Sequence, residues 1–173
     1  MAGQARGPGR RAHAMGGKNG IRPAVPADFT FIRRLAVRVF SYLGDYGRII
    51  PDWLAHDGVL SFVVEEAGRP VGFTMIGYYR IEGDSQGYAA DLLAIAVSPE
   101  AQHQGQGRRL LEHAITTART ARRRLPVREL RLSVAEPNQR ARRMFAAAGF
   151  VDVAGDHGFY EGGQRALHMR LKF

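Results

Sequence analysis

The stretch Gln102-His103-Gln104-Gly105-Gln106-Gly107-Arg108-Arg109-Leu110-Leu111 decides how this chain is organised. It follows an apolar run, Leu92 to Val97, and a Ser98-Pro99 break, and it opens a segment with helical spacing. Two glycines one residue apart, where a strand gives way to a helix, allow a tight turn that brings backbone N–H groups close to an anion. The helix N-terminus adds unpaired N–H groups and the positive end of its dipole. The stretch therefore predicts a phosphate-binding turn.

The same Gly-x-Gly pattern is also compatible with a plain loop and helix cap. Two familiar nucleotide signatures do not fit it. A dinucleotide fingerprint needs a third glycine where Leu110 stands, and a Walker loop needs Gly-Lys followed by Ser or Thr. The phosphate must therefore be identified from the rest of the chain.

The spacing Gln102-x-x-Gly105-x-Gly107 resembles the Gln/Arg-x-x-Gly-x-Gly/Ala signature of the GNAT superfamily of N-acetyltransferases. A second block at the expected distance, Leu130 to Phe150, resembles the family's strand followed by Asn-x-x-Ala-x-x-apolar-aromatic-x-x-x-Gly-Phe. The residues that match this second frame are Asn138, Ala141, Met144, Phe145, Gly149 and Phe150. Both blocks occur in order with a helix-length segment between them, and the resemblance runs from about Ile21 to the C-terminus.

The resemblance implies acetyl-coenzyme A as co-substrate, with its pyrophosphate on the backbone amides of the turn. The turn residues it assigns are Gln102, Gln104, Gly105, Gln106, Gly107 and Arg108. It places the acetyl end and the amide-rich arm on the backbone of Ile95, Ala96 and Val97, with further contacts from the second block at Asn138 and Phe145. An asparagine at position 138 is also a good helix N-cap, and both roles can hold together.

Acetyl transfer to an amine needs a base, because an ammonium must lose a proton before it attacks. Asp91, on the strand that leads into the turn, is the leading candidate, since some members of the family place a glutamate at what looks like this position. The alternative is a strand-end carboxylate that only caps or pairs with an arginine. Glu65, Glu66 and Glu82, on neighbouring strands, are the other candidates.

Phe145 departs from the family pattern, in which many relatives carry a tyrosine that protonates the departing thiolate. Phenylalanine has no proton to give. Either the thiolate leaves unaided, or Tyr160, Tyr88 or His157 supplies the proton, with Tyr160 taken as the catalytic candidate. A third alternative is a protein that binds acyl-coenzyme A without efficient transfer.

The amine acceptor is expected between the first helical region and the last hairpin. The side chains singled out there are Tyr42, Asp45, Tyr46, Trp53, Phe159, Tyr160 and Glu161. Aromatic and acidic groups together can hold a cationic amine, although the same residues can simply pack a small lid. The histidines are scattered and predict no metal site.

Composition bounds the alternatives. The chain of 173 residues is long enough for one domain with a core, and it has no cysteine, which excludes disulfides and a cysteinyl acyl-enzyme. No apolar run approaches the roughly 20 residues that span a bilayer, so we expect no membrane segment, and absences alone make a cytoplasmic protein the default. The net charge of +9 favours an anionic ligand, with nucleic-acid binding a weaker alternative.

The pattern along the chain predicts a disordered basic leader over residues 1–19 and one domain over 20–173, with an α/β fold in which helices cover both faces of a mixed, mostly antiparallel sheet. The elements we expect are strands at 21–24, 60–66, 71–81, 88–97, 129–135, 151–153 and 166–172, a hairpin turn at 68–70, a further turn at 83–87, and helices from 26, at 52–56, at 107–124 and at 138–148. We therefore expect an N-acetyltransferase that acts on a protein N-terminus or a small-molecule amine. The rival is a non-catalytic acyl-coenzyme A-binding module, and pairing through an edge strand would give a homodimer.

Overall fold

The computed structural model describes residues 20–81 and 87–173. The predicted leader, the candidate base Glu82 and nearly all of the predicted turn at 83–87 lie outside these residues. The strands are β1 (Ile21–Pro23), β2 (Val59–Glu66), β3 (Arg69–Arg80), β4 (Tyr88–Val97), β5 (Val127–Ala135), β6 (Val151–Asp152) and β7 (Ala166–Lys172). The helices are α1 (Phe29–Phe40), α2 (Tyr46–Leu54), α3 (Gln106–Ala121) and α4 (Gln139–Ala147).

The strands form one seven-stranded sheet in the order β1-β2-β3-β4-β5-β7-β6. Neighbouring strands run antiparallel, with the exception of β4 and β5, which run parallel and are joined through α3. Apolar residues of α1 and α2 pack on one face, around Phe73 and Met75, while those of α3 and α4 pack on the other, around Leu130 and Leu132. The predicted mixed, mostly antiparallel sheet with helices on both faces is confirmed.

The second helix differs from the prediction. It spans Tyr46–Leu54, whereas the sequence indicated a short helix at 52–56 after an irregular segment. Asp45 caps it by accepting a hydrogen bond from the Arg48 N–H at 3.2 Å. Pro51 lies inside it and has no N–H to donate to the carbonyl of Gly47, four residues earlier. Arg33 of α1 donates its Nε–H to that carbonyl instead, at 3.0 Å, so a distant side chain replaces the missing helical bond.

A β-bulge interrupts β4 at Leu93. Its neighbours Leu92 and Ala94 pair with adjacent residues of β3, so Leu93 has no counterpart in the ladder. Because successive strand residues alternate between faces, one extra residue exchanges the faces of everything that follows. Leu92 accordingly packs with α3 and α4, but Ala94 packs with α1 and α2.

The two parallel strands separate just beyond this bulge. The last pair between β4 and β5 is Leu92 with Leu132, although β4 continues to Val97 and β5 to Ala135. From Ser133 onward β5 pairs only with β7 among the described strands. The sheet is therefore split at its centre, and backbone groups of β4 that face the split have no strand partner there.

Candidate active site

The turn between β4 and α3 has the conformation that its glycines predict. Gly105 precedes the helix with φ of +82°, in the left-handed region that favours glycine. At the N-terminus of α3, the first helical hydrogen bond runs from the Arg109 N–H to the Gly105 carbonyl, at 3.0 Å. The N–H groups of the three residues between them therefore have no acceptor within the helix. They lie at the positive end of the helix dipole, an arrangement that binds phosphate.

Gly107 provides a test of whether this turn fits a phosphate ligand. It lies inside α3 and does not need the left-handed conformation. A Cβ atom added to it would lie 3.5 Å from Met144 Sδ and 3.9 Å from Val97 Cγ2, which are ordinary contacts. The protein thus leaves room for a methyl group that a helix would otherwise favour. Packing within the protein therefore does not require the glycine, and the open space beside the turn fits the pyrophosphate that the resemblance implies.

The side chains of the turn mostly hold the turn itself. Gln102 donates to the Val97 carbonyl at 3.1 Å, which ties the turn to the end of β4. Gln106 is buried and bonded to Glu66 and Arg109. Gln104 and Arg108 are exposed, and Arg108 forms an ion pair with Glu112 at 3.9 Å.

Arg140 joins this turn although the sequence analysis did not select it. Its Nη1 donates to Gln102 Oε1 at 3.2 Å and lies 3.4 Å from His103 Nε2. The residues from Arg140 to Arg143 look like a solvated helix face in the sequence. The sequence feature that could have indicated this contact is the position of Arg140, two residues after the helix cap at Asn138. This position places it in the first turn of α4, beside the glycine turn.

The split between β4 and β5 contains a narrow cleft of about 80 Å³. Asn138 and Phe145 line it, as does Ile95 of the predicted donor strand. The other two residues predicted with Ile95 contribute no side chain to it: Ala96 packs with α1 and α2, and Val97 packs beside Leu110. This does not affect a backbone role for Ala96 and Val97, the role that the resemblance implies.

Asn138 and Phe145 have structural roles in this cleft. Asn138 caps α4 by accepting a hydrogen bond from the Ala141 N–H at 3.1 Å. Phe145 is only 4% exposed and packs against Phe150, with ring centroids 5.9 Å apart. The phenyl ring thus fills the core position next to the cleft and contributes no polar group to it.

A larger cavity, of about 570 Å³, opens on the α2 side of the same sheet. Its floor is formed by β4, β5 and β7, and its rim by α2 and the segment before β7. The residues that line it are Tyr46, Trp53, Tyr79, Asp91, Leu92, Leu93, Glu129, Arg131, Leu132, Ser133, Val153, Tyr160, His168, Met169 and Arg170. Three of the side chains selected for the acceptor site, Tyr46, Trp53 and Tyr160, are therefore brought together here.

Asp91, the candidate base, lines this cavity. Burial raises its pKa above the usual value for a carboxyl group. The hydrogen bond from the Tyr79 hydroxyl, at 3.1 Å, and the nearby charge of Arg131 oppose that rise, while Glu129 adds to it. Asp91 is a mid-strand residue, not a strand-end cap, and within the described part of the chain its hydrogen-bond partner is Tyr79 and it forms no close ion pair.

The cleft and the cavity meet at the bulge. Six residues line both: Tyr46, Leu92, Leu93, Leu132, Ser133 and Tyr160. Among them, Tyr160 carries a hydroxyl group whose pKa is raised by burial and by the neighbouring Tyr46 and Tyr42, so it stays protonated near neutral pH.

The remaining candidates lie elsewhere. Glu65 is paired with Arg22 at 2.8 Å, and neither Glu65 nor Glu66 lines the cavity of Asp91. Tyr88 lies at the start of β4, close to Arg80, and His157 stacks on His168 at 4.0 Å. Asp45, Phe159 and Glu161 lie outside both cavities, where Asp45 accepts the cap bond of α2 and its own N–H donates to Glu161.

Two negative findings apply to residues 20–81 and 87–173. In this part of the chain the structure has no helix with the length and apolar character that a membrane crossing requires. The same residues contain no group of three or more metal-ligating side chains placed to hold an ion.

Comparison with known proteins identifies the family. The model of the acetyltransferase (GNAT) family matches residues 28–150. No curated protein sequence matches the chain. Among solved structures, a GNAT-family protein from Desulfovibrio desulfuricans is 25% identical, covering 88% of this chain and 98% of its own, with a TM-score of 0.67.

Two further structures share the fold at lower identity. The ribosomal-protein-alanine N-acetyltransferase of Brucella melitensis is 24% identical, covering 88% of this chain and 99% of its own, with a TM-score of 0.69. NAA60 of Arabidopsis thaliana, solved in complex with acetyl-CoA, is 14% identical, covering 88% and 97%, with a TM-score of 0.74. The split sheet, the glycine turn and the matched family model agree: this chain belongs to the GNAT acetyltransferase family, whose members are acyltransferases with acetyl-CoA as co-substrate.

Proposed function

We propose that residues 20–173 form an N-acetyltransferase domain that moves the acetyl group of acetyl-CoA directly to a primary amine. The observation that carries this proposal is the meeting of two cavities at the β4 bulge, one beside the phosphate turn and one containing Asp91. A thioester in the cleft and an amine in the cavity would meet at their junction. The chain has no cysteine, so direct transfer needs no acyl-enzyme.

The donor would be bound mainly by the backbone. The N–H groups of Gln104 to Arg108 would hold the pyrophosphate, with the left-handed Gly105 shaping the turn and Gly107 leaving room for it. Arg140 would add a positive charge beside the phosphates. The backbone of Ile95 to Val97 would bind the arm along the edge that β5 leaves unpaired, with Asn138 and Phe145 on the opposite wall.

Asp91 would act as the base. Its carboxylate would accept a proton from the ammonium group of the acceptor, so that the nitrogen lone pair can attack the thioester carbonyl. A carboxyl pKa raised by burial suits this task, because a base works best when its pKa approaches the working pH. Backbone N–H groups at the bulge would stabilise the negative charge that develops on the carbonyl oxygen.

Tyr160 would act as the acid in place of the family's tyrosine at position 145. Its side chain lines both cavities where they meet, and it carries a proton near neutral pH. Burial raises its pKa, which makes it a weaker acid than an exposed tyrosine. As the carbon–sulfur bond breaks, the hydroxyl proton would pass to the departing thiolate. The other donors considered, Tyr88 and His157, line neither cavity.

The acceptor would be a protein N-terminus or a small-molecule amine. The similarity in fold to the ribosomal-protein-alanine N-acetyltransferase supports the first, and the partly enclosed cavity of about 570 Å³ is compatible with both.

Titration calorimetry with acetyl-CoA tests the donor site, using wild type and Gly107→Trp. We expect saturable binding by wild type and none by the variant, because the indole would fill the space that Gly107 leaves open beside Met144. Thr120→Trp is the matched control: it places the same bulk on an exposed position of α3, about 20 Å along the helix, and should bind normally. If folded wild-type protein does not bind acetyl-CoA, the proposal is wrong.

A non-catalytic acyl-CoA-binding module is the second candidate, because Phe145 removes the family's usual proton donor. It predicts the same calorimetric result but no release of free thiol in the presence of amines. Turnover above background on a panel of primary amines would reject it.

A further inference from the structure

Two arginines face each other across the floor of the Asp91 cavity. Arg131 of β5 pairs directly with Arg170 of β7, so their side chains lie on the same face of the sheet. Both line the cavity. Like charges directly opposite each other destabilise an antiparallel pair unless something between or beside them compensates.

Arg131 has its compensation within the protein. Its Nε donates to Glu129, with which it forms an ion pair, and its Nη1 lies 3.4 Å from the Tyr79 hydroxyl. Arg170 has none among the described residues. Its Nε is buried without a hydrogen-bond partner, and no carboxylate in residues 20–81 and 87–173 lies within ion-pair distance of it. Arg170 is half-buried and lines the cavity, so its guanidinium charge is available to an acceptor in that cavity.

Register places this arginine in line with the base. Arg131 on β5 pairs with Asp91 on β4 and with Arg170 on β7, so the three residues form one row across the cavity floor. With neighbouring strands about 4.8 Å apart, the backbone positions of Asp91 and Arg170 are roughly 10 Å from each other. One small molecule can therefore reach both side chains.

We propose that the acceptor is an amine that also carries an anionic group, a carboxylate or a phosphate, and that Arg170 binds this group while the amine lies at Asp91. This inference rests on the proposed function and specifies its substrate class. The anion would accept hydrogen bonds from the guanidinium groups that face the cavity and would offset the repulsion from Arg131. A polyamine would place a second cation beside Arg170 and is disfavoured.

Steady-state acetylation with matched acceptors tests the inference on the full chain. The small-molecule arm uses 4-aminobutyrate, 3-aminopropyl phosphate, butylamine and 1,4-diaminobutane. The peptide arm uses a free N-terminus followed by an acidic residue, and the same peptide with the corresponding amide. We expect kcat/KM to be about 10- to 100-fold higher for the anionic member of at least one arm, the range of a charge-assisted hydrogen bond. The arm that shows the preference identifies the source of the anion.

Variants at Arg170 assign the preference to that side chain. Arg170→Gln should bring the ratio of anionic to neutral acceptor close to one through a higher KM, with the affinity for acetyl-CoA unchanged, and Arg170→Lys should keep part of it. Lys172→Gln is the matched control, since Lys172 is exposed on the same strand and does not line the cavity. It should keep the wild-type ratio.

Binding is measured separately, by calorimetry of the same acceptors against protein saturated with coenzyme A, so that the anion site is tested even without turnover. Equal binding of anionic and neutral acceptors by wild type would overturn the inference. So would an equal loss for both in Arg170→Gln, which indicates a structural role. Anion-selective binding without acetylation would instead contradict the proposed function and leave the anion site standing.

Discussion

The two cavities that meet at the β4 bulge are built in different ways. On the donor side, the proposed phosphate-binding groups are backbone N–H groups of consecutive residues from Gln104 to Arg108, while the side chains of Gln102 and Gln106 stabilise the turn. On the acceptor side, side chains from β3, β4, β5 and β7 converge through strand register, beneath a rim formed by α2 and the segment before β7.

This difference determines which amino-acid substitutions each of the two cavities can tolerate. A backbone site depends on glycine spacing and on a helix start, so it tolerates exchange of the surrounding side chains. A side-chain site changes specificity with each substitution in the row Asp91, Arg131, Arg170. The donor side is therefore expected to be shared within the family, and the acceptor side to distinguish one member from another.

The substitution Asp91→Asn should distinguish the acceptor cavity from the donor cleft most clearly. We expect kcat/KM for the amine to fall about 10²- to 10⁴-fold at neutral pH, the usual contribution of a general base, while the calorimetric affinity for acetyl-CoA stays the same. In wild type the rate should fall as the pH decreases through the pKa of Asp91. An ordinary aspartate has a pKa of about 3.9. Because burial raises the pKa of Asp91, the fall in rate should occur at a higher pH than this, and it should be absent in the variant.

Glu129→Gln is the comparison for this experiment. Glu129 lines the same cavity, but its carboxylate is already paired with Arg131. A larger loss of rate in Glu129→Gln than in Asp91→Asn would mean that the base is misassigned.

A smaller effect is expected at the junction of the two sides, for Tyr160→Phe. The variant keeps the ring and loses the proton donor, so kcat should fall about 10-fold. The loss stays below the usual range for acid catalysis because a thiol with a pKa near 8.5 is a tolerable leaving group. Tyr42→Phe removes a neighbouring hydroxyl that lines only the donor cleft, and kcat for this control should hardly change. Equal losses in both variants would argue against a proton transfer from Tyr160.

Asn138→Ala tests a side chain that lines the donor cleft and also caps helix α4. Loss of the N-cap bond to Ala141 should lower the free energy of unfolding by about 1 kcal/mol, measured by urea denaturation. Asn138→Asp can still cap the helix. If it keeps the stability but weakens acetyl-CoA binding, the residue also contacts the coenzyme; if it restores both, capping is its whole contribution.

The smallest change should come from Gln104→Ala, which removes an exposed side chain from the centre of the phosphate turn. If the backbone binds the phosphates, the dissociation constant for acetyl-CoA should shift by no more than about twofold, as for an ordinary surface substitution. A loss of 10-fold or more, measured by the same calorimetry, would show that the donor side also depends on its side chains.

Much of the fold followed from the sequence because local signals determine it. The glycine spacing predicted the turn before α3, and apolar periodicity predicted the helices on both faces of the sheet. The predicted bounds of helix α2 were wrong. The helix continues through Pro51, where the hydrogen bond from Arg33 to the Gly47 carbonyl replaces the missing helical bond, and no local sequence pattern reveals this long-range contact.

The acceptor side was harder to predict for the same physical reason. Asp91 could be selected by its strand, but the row it forms with Arg131 and Arg170 exists only through the register of β5 and β7. Arg140 was missed because its role depends on how α4 packs beside the turn. Long-range pairing, not composition, assembles these groups.

Because of the bulge at Leu93, the number of residues in β4 determines which face of the sheet each side chain occupies. Before it, the odd-numbered residue Asp91 points to the acceptor cavity; after it, the even-numbered Ala94 and Ala96 occupy that face of the sheet. Deleting one residue here would leave the composition of the strand almost unchanged, but it would turn either Asp91 or the residues that lead into the glycine turn to the opposite face of the sheet. Evolution can therefore exchange one apolar residue for another along this strand far more freely than it can insert or remove one.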